Sequence, residues 1–410
     1  MGEPNIESEE KEPGRVEFSF PMLTIRTKIF SGVFDRLGAL RISKWIGWAA
    51  LVIVPIIAAI GLYLVSTSLF TLLWTPEARQ ITQELGPASY LLLPGINPIL
   101  PIFYGWIAIV CAVVIHEGAH GIIARNRGFN VKSSGLLFFF IVPIGAFVDV
   151  DEEQIEKSKP KNSLRVMAGG VAGNTVVAVV CLIAMLLIVN GLTPVVNGVY
   201  ISEVIEGMPA EQAGLMPADV FVSINGLPIE KYETDLKPIF ADKNPGDIIN
   251  VTVSRGKNWN ETYSTIITLT ESNGTAVMGI TLGDLLTKER IDFYGTLTLD
   301  TLTLYMVPPS LAPGLVPFSD SLSSFYTHSL GSNWHVYANI FFWLWFVNLN
   351  VAIFNALPIY PLDGGRILDI SLKSLLAQKA SEKTISRITQ AVTVALILIL
   401  VMIAVIPFIL

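Results

Sequence analysis

Five stretches of the chain are almost free of charged residues and long enough to cross a lipid bilayer. The first of them contains no charged residue between Lys44 and Glu77. A helix needs about 20 mainly apolar residues to cross the hydrocarbon core of a membrane. The pattern therefore predicts five transmembrane helices, at approximately residues 45–74, 102–124, 164–189, 335–357 and 388–410.

Residues 131–150 are also apolar, but Gly135, Pro143 and Gly145 interrupt them. This composition favours an apolar β-hairpin or a re-entrant loop over another helix. Non-helical backbone is tolerated at membrane depth only where it lies against protein or a water-filled cavity. We therefore predict a membrane-associated β-hairpin in this part of the chain.

Residues 197–283 have the pattern of a soluble α+β domain. A proline opens and a glycine closes a short helix at Pro209 to Gly214. The Asn225-Gly226 pair predicts a tight turn after a strand. Strands are expected near residues 198–204, 219–224, 248–254, 263–269 and 277–282, and a second helix near residues 232–241.

Two further regions have less regular patterns. Residues 1–43 are charged and are expected to form a polar tail that ends in an interfacial helix near Phe30–Leu40. They lack an early apolar segment of the signal-peptide type, so we expect the first span to be an uncleaved anchor. Residues 284–334 are amphipathic and proline-rich, which predicts a membrane-associated segment. Spans one to three then belong to residues 44–196, and spans four and five to residues 335–410.

The composition agrees with a polytopic α-helical membrane protein. Hydrophobic residues make up 52% and charged residues 15% of the chain, and the mean hydropathy is +0.58. These values are too apolar for a soluble protein of this length. Cys111 and Cys181 lie in apolar helices and are expected to be core residues. No basic patch with interleaved aromatic residues indicates nucleic-acid binding, so we expect no nucleic-acid partner.

The distribution of lysine and arginine predicts an orientation. If the N-terminus is cytoplasmic, 19 of the 27 basic residues lie on the cytoplasmic side. This bias fits the positive-inside rule. We therefore expect an integral protein of the cell membrane with residues 197–283 outside. Three N-x-S/T sequons in that domain are compatible with an external location, at Asn250, Asn260 and Asn273.

The second predicted span ends in the sequence His116-Glu117-Gly118-Ala119-His120. Two histidines four residues apart on a helix lie about 40° apart around its axis, one turn along, so both can bind one metal ion. Glu117 lies next to the first imidazole and can hold a water molecule. This H-E-x-x-H pattern is that of a zinc metalloprotease helix, and ionisable residues in a membrane span usually mark a functional site.

A catalytic zinc ion takes three protein ligands and keeps one position open. Asp363 is the best candidate for the third ligand, because the predicted orientation puts it at the same membrane depth as His116 and His120. The alternative is that Asp363 caps the helix that follows it. Two asparagines in apolar surroundings also have alternatives: Asn174 as an interhelical hydrogen-bond partner, and Asn355 as a helix-end cap.

Together these residues resemble the site-2 protease family of intramembrane zinc metalloproteases. The matching motifs are HEGAH at 116–120, the G-x-x-x-N element from Gly170 to Asn174, and NALPIYPLDGG at 355–365. Residues 197–283 resemble a circularly permuted PDZ domain, with GMPAEQAGLMPADVFVSINGLPI as the specific match. One departure is local: Val171 follows Gly170 where many members have proline.

The resemblance implies one catalytic zinc ion, with His116, His120 and Asp363 as ligands and Glu117 as the general base. It also implies cleavage of single-span membrane proteins in contact with lipid, within or near their transmembrane segments. Peptide or protein tails would bind in the PDZ groove. Substrate contacts are expected at Asn174, Asn355, Gly279 and Ile280, the last two in the strand that lines this groove.

A second function stays open on the sequence alone. The protein could be a membrane scaffold that binds peptides through its PDZ domain and uses zinc structurally. A structural zinc site usually has four protein ligands, whereas the sequence offers three and a suitably placed glutamate. A transporter is less favoured, because no inverted repeat is visible.

Overall fold

The computed structural model describes residues 16–140, 142–272, 274–284, 287–314 and 316–410, and of residues 142–144 only the backbone. The chain divides into two compact units. The first unit comprises the chain up to Val180 together with Trp343–Leu410, and the second comprises Cys181–Phe342.

The helices follow one another along the chain as α1 (Ser31–Gly38), α2 (Arg41–Trp74), α3 (Pro76–Leu85), α4 (Ile102–Asn126), α5 (Glu152–Lys157), α6 (Pro160–Asn190), α7 (Pro209–Gln212), α8 (Lys237–Ala241), α9 (Lys288–Gly295), α10 (Leu299–Leu304), α11 (Trp334–Ala356), α12 (Asp363–Leu376) and α13 (Glu382–Ile409).

The strands are β1 (Val16–Ser19), β2 (Met22–Thr27), β3 (Val131–Phe139), β4 (Val142–Val150), β5 (Thr193–Pro194), β6 (Tyr200–Val204), β7 (Val220–Ile224), β8 (Leu227–Pro228), β9 (Ile248–Arg255), β10 (Glu261–Thr268), β11 (Thr270–Ser272), β12 (Thr275–Val277), β13 (Ile280–Gly283) and β14 (Tyr326–Thr327).

Five of these helices are long and apolar enough to cross a membrane, namely α2, α4, α6, α11 and α13. They coincide with the five predicted spans. Continuous apolar sequence forms helices here because a spanning segment must satisfy its backbone hydrogen bonds internally. The protein is therefore a polytopic α-helical membrane protein.

Small residues allow the spans of the first unit to approach closely. A Cβ atom on Gly173 of α6 would lie 2.8 Å from the Cβ atom of Ala119 on α4. A Cβ atom on Gly61 of α2 would lie 3.1 Å from side-chain atoms of Ile353 and Leu357. Close backbone approach of this kind is a general means of packing helices in membranes.

The first unit also contains an antiparallel sheet with the strand order β1-β2-β3-β4. The strands β1 and β2 lie within residues 16–27, where only a polar tail was expected, whereas α1 (Ser31–Gly38) lies where that tail was expected to end in a helix. Residues 1–15 lie outside the described residues. The strand β2 pairs with β3, with Leu23 opposite Phe138 and Ile25 opposite Leu136. The apolar residues of β2 thus pair with apolar residues of β3. The charged residues next to β2 in the sequence gave no sign of this pairing.

Gly135 of β3 is needed for this pairing. A Cβ atom at this position would lie 2.2 Å from the carbonyl oxygen of Ile25 and 2.6 Å from the ring of Phe147. Without a side chain at Gly135, the Phe147 ring lies across the sheet, and Arg26 packs on that ring at 5.0 Å from its centroid. Glycine inside a strand commonly marks such a close approach.

The second unit is built around a sheet with the order β10-β9-β7-β6-β13, and β8 pairs with β7. Its core is apolar and includes Val199, Phe221, Ile249 and Val251, all 0–2% exposed. The observed strands and helices lie close to those predicted for residues 197–283. The sequon at Asn273 lies outside the described residues.

The unit around this sheet extends beyond residue 283. Within residues 284–334 the chain forms α9, α10 and β14, and it packs against the sheet through Phe325. The Phe325 ring lies 5.0 Å from that of Tyr200 and stacks on Trp259 at 4.4 Å. The Tyr200 hydroxyl donates to the carbonyl of Gly314 at 2.9 Å. Membrane association of this segment stays a prediction.

We predict that Asp219→Ala destabilises the second unit. Asp219 is 1% exposed, and its carboxylate accepts hydrogen bonds from Arg255 at 2.6 Å and from the backbone of Met216 at 2.9 Å. Removal of one partner of a largely buried ion pair leaves the other uncompensated, at a cost of about 3 kcal/mol. Pulse proteolysis of detergent-solubilised protein in urea measures the loss as a lower denaturation midpoint.

The matched control is Glu233→Ala, which breaks the exposed ion pair between Glu233 and Lys237. We expect little change from it, because exposed ion pairs contribute little to stability. Equal midpoints for the Asp219 and Glu233 variants would show that the Asp219–Arg255 pair does not stabilise the unit.

Candidate metal centre

The helix α4 carries two histidines on one buried face. His116 and His120 are 7% and 9% exposed. Their Nε2 atoms lie 3.3 Å apart. The spacing of four residues brings the two rings together because one helical turn separates them.

Asp363 comes to the same point from the other end of the chain. The span α11 ends at Ala356, prolines follow at positions 358 and 361, and α12 begins at Asp363. The Oδ2 atom of Asp363 lies 3.1 Å from the Nε2 atom of His116 and 3.1 Å from that of His120. The capping position of α12 belongs to Leu362, and no side chain caps the helix. The geometry therefore does not support the capping alternative for Asp363.

Two glycines position Asp363. A Cβ atom on Gly364 would lie 2.2 Å from the carbonyl oxygen of Ala356, and one on Gly365 would lie 2.3 Å from the backbone nitrogen of Tyr360. Because neither residue has a side chain, α12 can start directly against the end of α11.

Gly170 of α6 lies against the two imidazoles. A Cβ atom at this position would lie 2.4 Å from the Nε2 atom of His120 and 2.6 Å from that of His116. The backbone of α6 therefore forms one wall of the site. The sequence indicated the glycine only as part of the G-x-x-x-N motif, and not its contact with the histidines.

Contacts behind the site fix the ring of His120. Its Nδ1 atom lies 2.7 Å from the carbonyl oxygen of Val166. A neutral imidazole that donates from Nδ1 presents the lone pair of Nε2 to the centre, which is the usual arrangement of a metal-binding histidine. The Nδ1 atom of His116 is buried, with no hydrogen-bond partner among the described residues.

Asp363 is held in the form that a metal ligand requires. Burial raises the pKa of its carboxyl, but the positive charge of a proton held between it and the imidazoles of His120 and His116 outweighs this and holds the pKa below its usual range. A zinc ion bound by the same atoms would supply positive charge in place of that proton. Asp363 is thus a carboxylate at neutral pH, as metal binding needs.

These donors fit a zinc ion. The ligand atoms of His116, His120 and Asp363 all lie within 4.8 Å of one another, and their nearest separations are 3.1–3.3 Å. Ligands at zinc bond lengths of about 2.0–2.1 Å in a tetrahedron lie about 3.3–3.4 Å apart. Two imidazoles and one carboxylate are also a common donor set for catalytic zinc.

Glu117 lies beside the ligands without belonging to the group. Its Oε2 atom accepts a hydrogen bond from the backbone nitrogen of Val148 on β4 at 3.1 Å. The side chain is half-buried. The orientation of this carboxylate therefore depends on the sheet as well as on α4, a contact that the sequence did not indicate.

The structure does not bring the expected substrate contacts into the ligand group. Asn174 is fully buried, and its amide donates to the carbonyl of Ala112 on α4 at 3.2 Å, as the interhelical alternative requires. Asn355 donates to the carbonyl of Val351 within its own helix at 3.0 Å. Gly279 and Ile280 belong to the second unit.

A polar cavity of about 760 Å³ lies between α5, α6, α12 and α13. It is lined by residues that include Ser163, Met167, Arg366, Asp369 and Lys373. Met167 directly follows Val166, the hydrogen-bond partner of His120, and Arg366 lies three residues after Asp363. The cavity therefore adjoins the elements that carry the ligands, although none of the ligands lines it.

Comparison with known proteins agrees with this site. A family model described as Peptidase family M50 matches residues 104–400. An uncharacterized protein of Methanocaldococcus jannaschii is 24% identical over 83% of this chain and 74% of its own length. The Arabidopsis thaliana protein named "Probable membrane metalloprotease ARASP2, chloroplastic" is 23% identical over 64% of this chain and 69% of its own length.

A second Arabidopsis thaliana protein, named "Membrane-bound transcription factor site-2 protease homolog", is 26% identical over 35% of this chain and 27% of its own length. The family match covers the helix with both histidines as well as Asp363. The chain therefore belongs to peptidase family M50, the site-2 protease family, and is an intramembrane zinc metalloprotease.

Proposed function

We propose that the protein hydrolyses peptide bonds within or near the transmembrane segments of single-span membrane proteins, with His116, His120 and Asp363 as zinc ligands and Glu117 as the general base. This assignment rests on one observation. The Nε2 atoms of His116 and His120 and the Oδ2 atom of Asp363 lie 3.1–3.3 Å from one another. The two histidines and Glu117 belong to α4, which is a candidate membrane span.

When bound, the zinc ion supplies Lewis acidity to the attacking water and to the scissile carbonyl group. Glu117 accepts the proton of the water and later donates a proton to the leaving amine. The contact between His120 and Val166 keeps one ligand in the required tautomer. The hydrogen bond from Val148 keeps the Glu117 carboxylate beside the ligand group before substrate binds.

The scaffold alternative is less well supported. Among the described residues, the metal-binding group contains three side chains, whereas a structural zinc site usually has four. A three-ligand group leaves a position for water and substrate.

We propose that the hairpin β3–β4 lies at membrane depth and binds the substrate as an added strand. Val150 packs in one cluster with Ile123 and Ala124, and Val148 lies beside Gly121 and Glu117. The strand β4 therefore runs along α4 towards the interior of a candidate span. It is an edge strand of the sheet, so its outer side can pair with an unwound substrate segment.

We further propose that the second unit contains a PDZ domain that faces outside and binds peptide tails. Its strand β13 lies at the edge of the sheet, and Ile280 pairs with Val204. Gly279 adopts a φ of 82°, and its carbonyl accepts a hydrogen bond from Ile205 at 2.9 Å. In this proposal the N-terminus and the zinc site face the cytoplasm of a cell membrane, following the positive-inside bias.

We predict that Asp363→Ala loses zinc. Removal of one of three ligands is expected to weaken zinc binding by at least about 100-fold, since even changes to residues behind the ligands cost 10–100-fold. Metal analysis of purified protein measures the zinc content. The control is Asp369→Ala on the same helix, which removes a carboxylate outside the ligand group and should keep about one ion per chain. Full zinc content in the Asp363 variant would exclude Asp363 as a ligand.

We also predict that Glu117→Gln keeps zinc but loses peptide-bond cleavage. The amide can still accept the hydrogen bond from Val148 but cannot take up a proton. We expect kcat to decrease by at least about 10²–10⁴-fold, the usual contribution of general acid–base catalysis. Single-span substrates in detergent, followed by gel electrophoresis, provide the measurement.

Glu153→Gln serves as the control for this prediction, because Glu153 forms an exposed ion pair with Lys157. It should cleave at the rate of the wild-type protein. If Glu117→Gln retains both zinc and substantial turnover, another group acts as the base.

A further inference from the structure

Arg165 is a buried cation without a counter-charge. It lies on the first turns of α6 and is 4% exposed. No carboxylate among the described residues forms an ion pair with it, and its Nε atom has no hydrogen-bond partner there. A buried charge is costly unless it is paired and hydrogen-bonded. The surroundings of Arg165 should therefore provide a place for an anion.

The side chain of Arg165 lies against the beginning of α2. Its Cδ atom would be 3.8 Å from a Cβ atom on Gly47, and its Cζ atom lies 3.6 Å from the centroid of the Trp48 ring. The Nζ atom of Lys161, one turn earlier on α6, lies 4.1 Å from the same centroid. Two cations thus contact one indole ring, and Lys161 is exposed.

Cation–π contacts compensate only part of this cost. Such a contact is a weak attraction, and it does not remove the repulsion between two cations on one ring. Arg127 at the end of α4 lies within electrostatic range and adds a third positive charge. A phosphate group would offset these charges, because guanidinium binds phosphate through two parallel hydrogen bonds.

The position on the spans indicates where this phosphate comes from. The cluster lies at the ends of three candidate spans, where α2 begins, α4 ends and α6 begins. The first turns of α2 also carry Arg41, Lys44 and the exposed Trp45. Basic residues and tryptophan at span ends mark the level of the lipid headgroups, and basic pockets between spans bind anionic headgroups.

We propose that Arg165, Lys161 and Trp48 form a binding site for the phosphate of an anionic lipid headgroup. The phosphate lies between the guanidinium of Arg165 and the ammonium of Lys161, and Trp48 forms the wall of the site. The acyl chains follow the apolar surface of α2, where Val52 and Ile56 are exposed. This site is separate from the zinc ligands and does not depend on the proposed substrate.

Native mass spectrometry of the delipidated full-length protein tests the proposal. The protein is incubated with equimolar phosphatidylglycerol and phosphatidylcholine of matched acyl chains, and retained lipid is counted. We expect one retained phosphatidylglycerol in preference to phosphatidylcholine. Lys161→Gln should reduce this preference about fivefold, and Arg165→Gln combined with Lys161→Gln about 25-fold, if each cation contributes about 1 kcal/mol.

The matched control is the double variant Lys157→Gln and Lys159→Gln, which removes two charges from the same region without touching Trp48; it should retain phosphatidylglycerol like the wild type. The Lys161 variant changes an exposed residue, so it keeps the test valid if the Arg165 variant does not fold. Equal preference in the wild type and the Lys161 variant would overturn the proposal, as would equal retention of both lipids by the wild type.

Inorganic phosphate distinguishes the two sources of the same chemical group. We expect it to displace phosphatidylglycerol only at much higher concentration, which would support a lipid site. If inorganic phosphate instead stabilises the wild type but not the Lys161 variant, while neither lipid is preferred, the phosphate site stands and its assignment to a lipid is overturned.

Discussion

The contact of the Asp363 carboxylate with two imidazoles is the interaction on which the first unit depends. It joins α12 to α4 across more than half of the sequence, at 3.1 Å from each ring nitrogen. The contact is possible because three nearby positions are glycines, whose lack of a side chain lets backbone approach closely. Gly170 leaves space under the rings, and Gly364 and Gly365 allow α12 to start against the end of α11. A methyl group at any of these positions would collide with an imidazole ring or with the backbone between Ala356 and Tyr360.

Among the described residues, one hydrogen bond joins the sheet to the same centre. Val148 lies on the edge strand β4, and its backbone nitrogen donates to Glu117. Without this hydrogen bond, the Glu117 side chain could change rotamer on α4. The bond instead holds the carboxylate against β4, the strand proposed to bind the substrate. If the substrate binds along β4 as proposed, its position and that of Glu117 are coupled through one strand. The strands β1 and β2 extend the sheet on its other side, so that β4 is its edge strand next to α4.

Local signals in the sequence were sufficient for the spans, for the histidine pair and for most strands of the second unit. An apolar run indicates a span, and a spacing of four residues indicates a shared helix face, whatever residues lie elsewhere in the chain. The strand β2 could not be predicted in this way, because its partner β3 lies over 100 residues later and charged residues precede it. The contacts of Gly170, Val148 and Arg165 were missed for the same reason: each depends on how α2, α4, α6 and β4 pack.

The spans face opposing demands, because zinc ligands need a polar site whereas the helices need an apolar environment. The helix α6 meets both demands along one axis. Gly170 forms a wall of the zinc site, and Arg165 lies five residues earlier, about 7.5 Å along the helix. A headgroup bound at Arg165 would hold the start of α6 at the membrane surface. The rigid helix would then fix how deep in the membrane Gly170, the wall of the zinc site, lies. The next residue, Val166, contacts the His120 ring through its carbonyl oxygen. The same bound headgroup would therefore also fix the membrane depth of His120. Lipid contact and ligand geometry are thus connected through one helix.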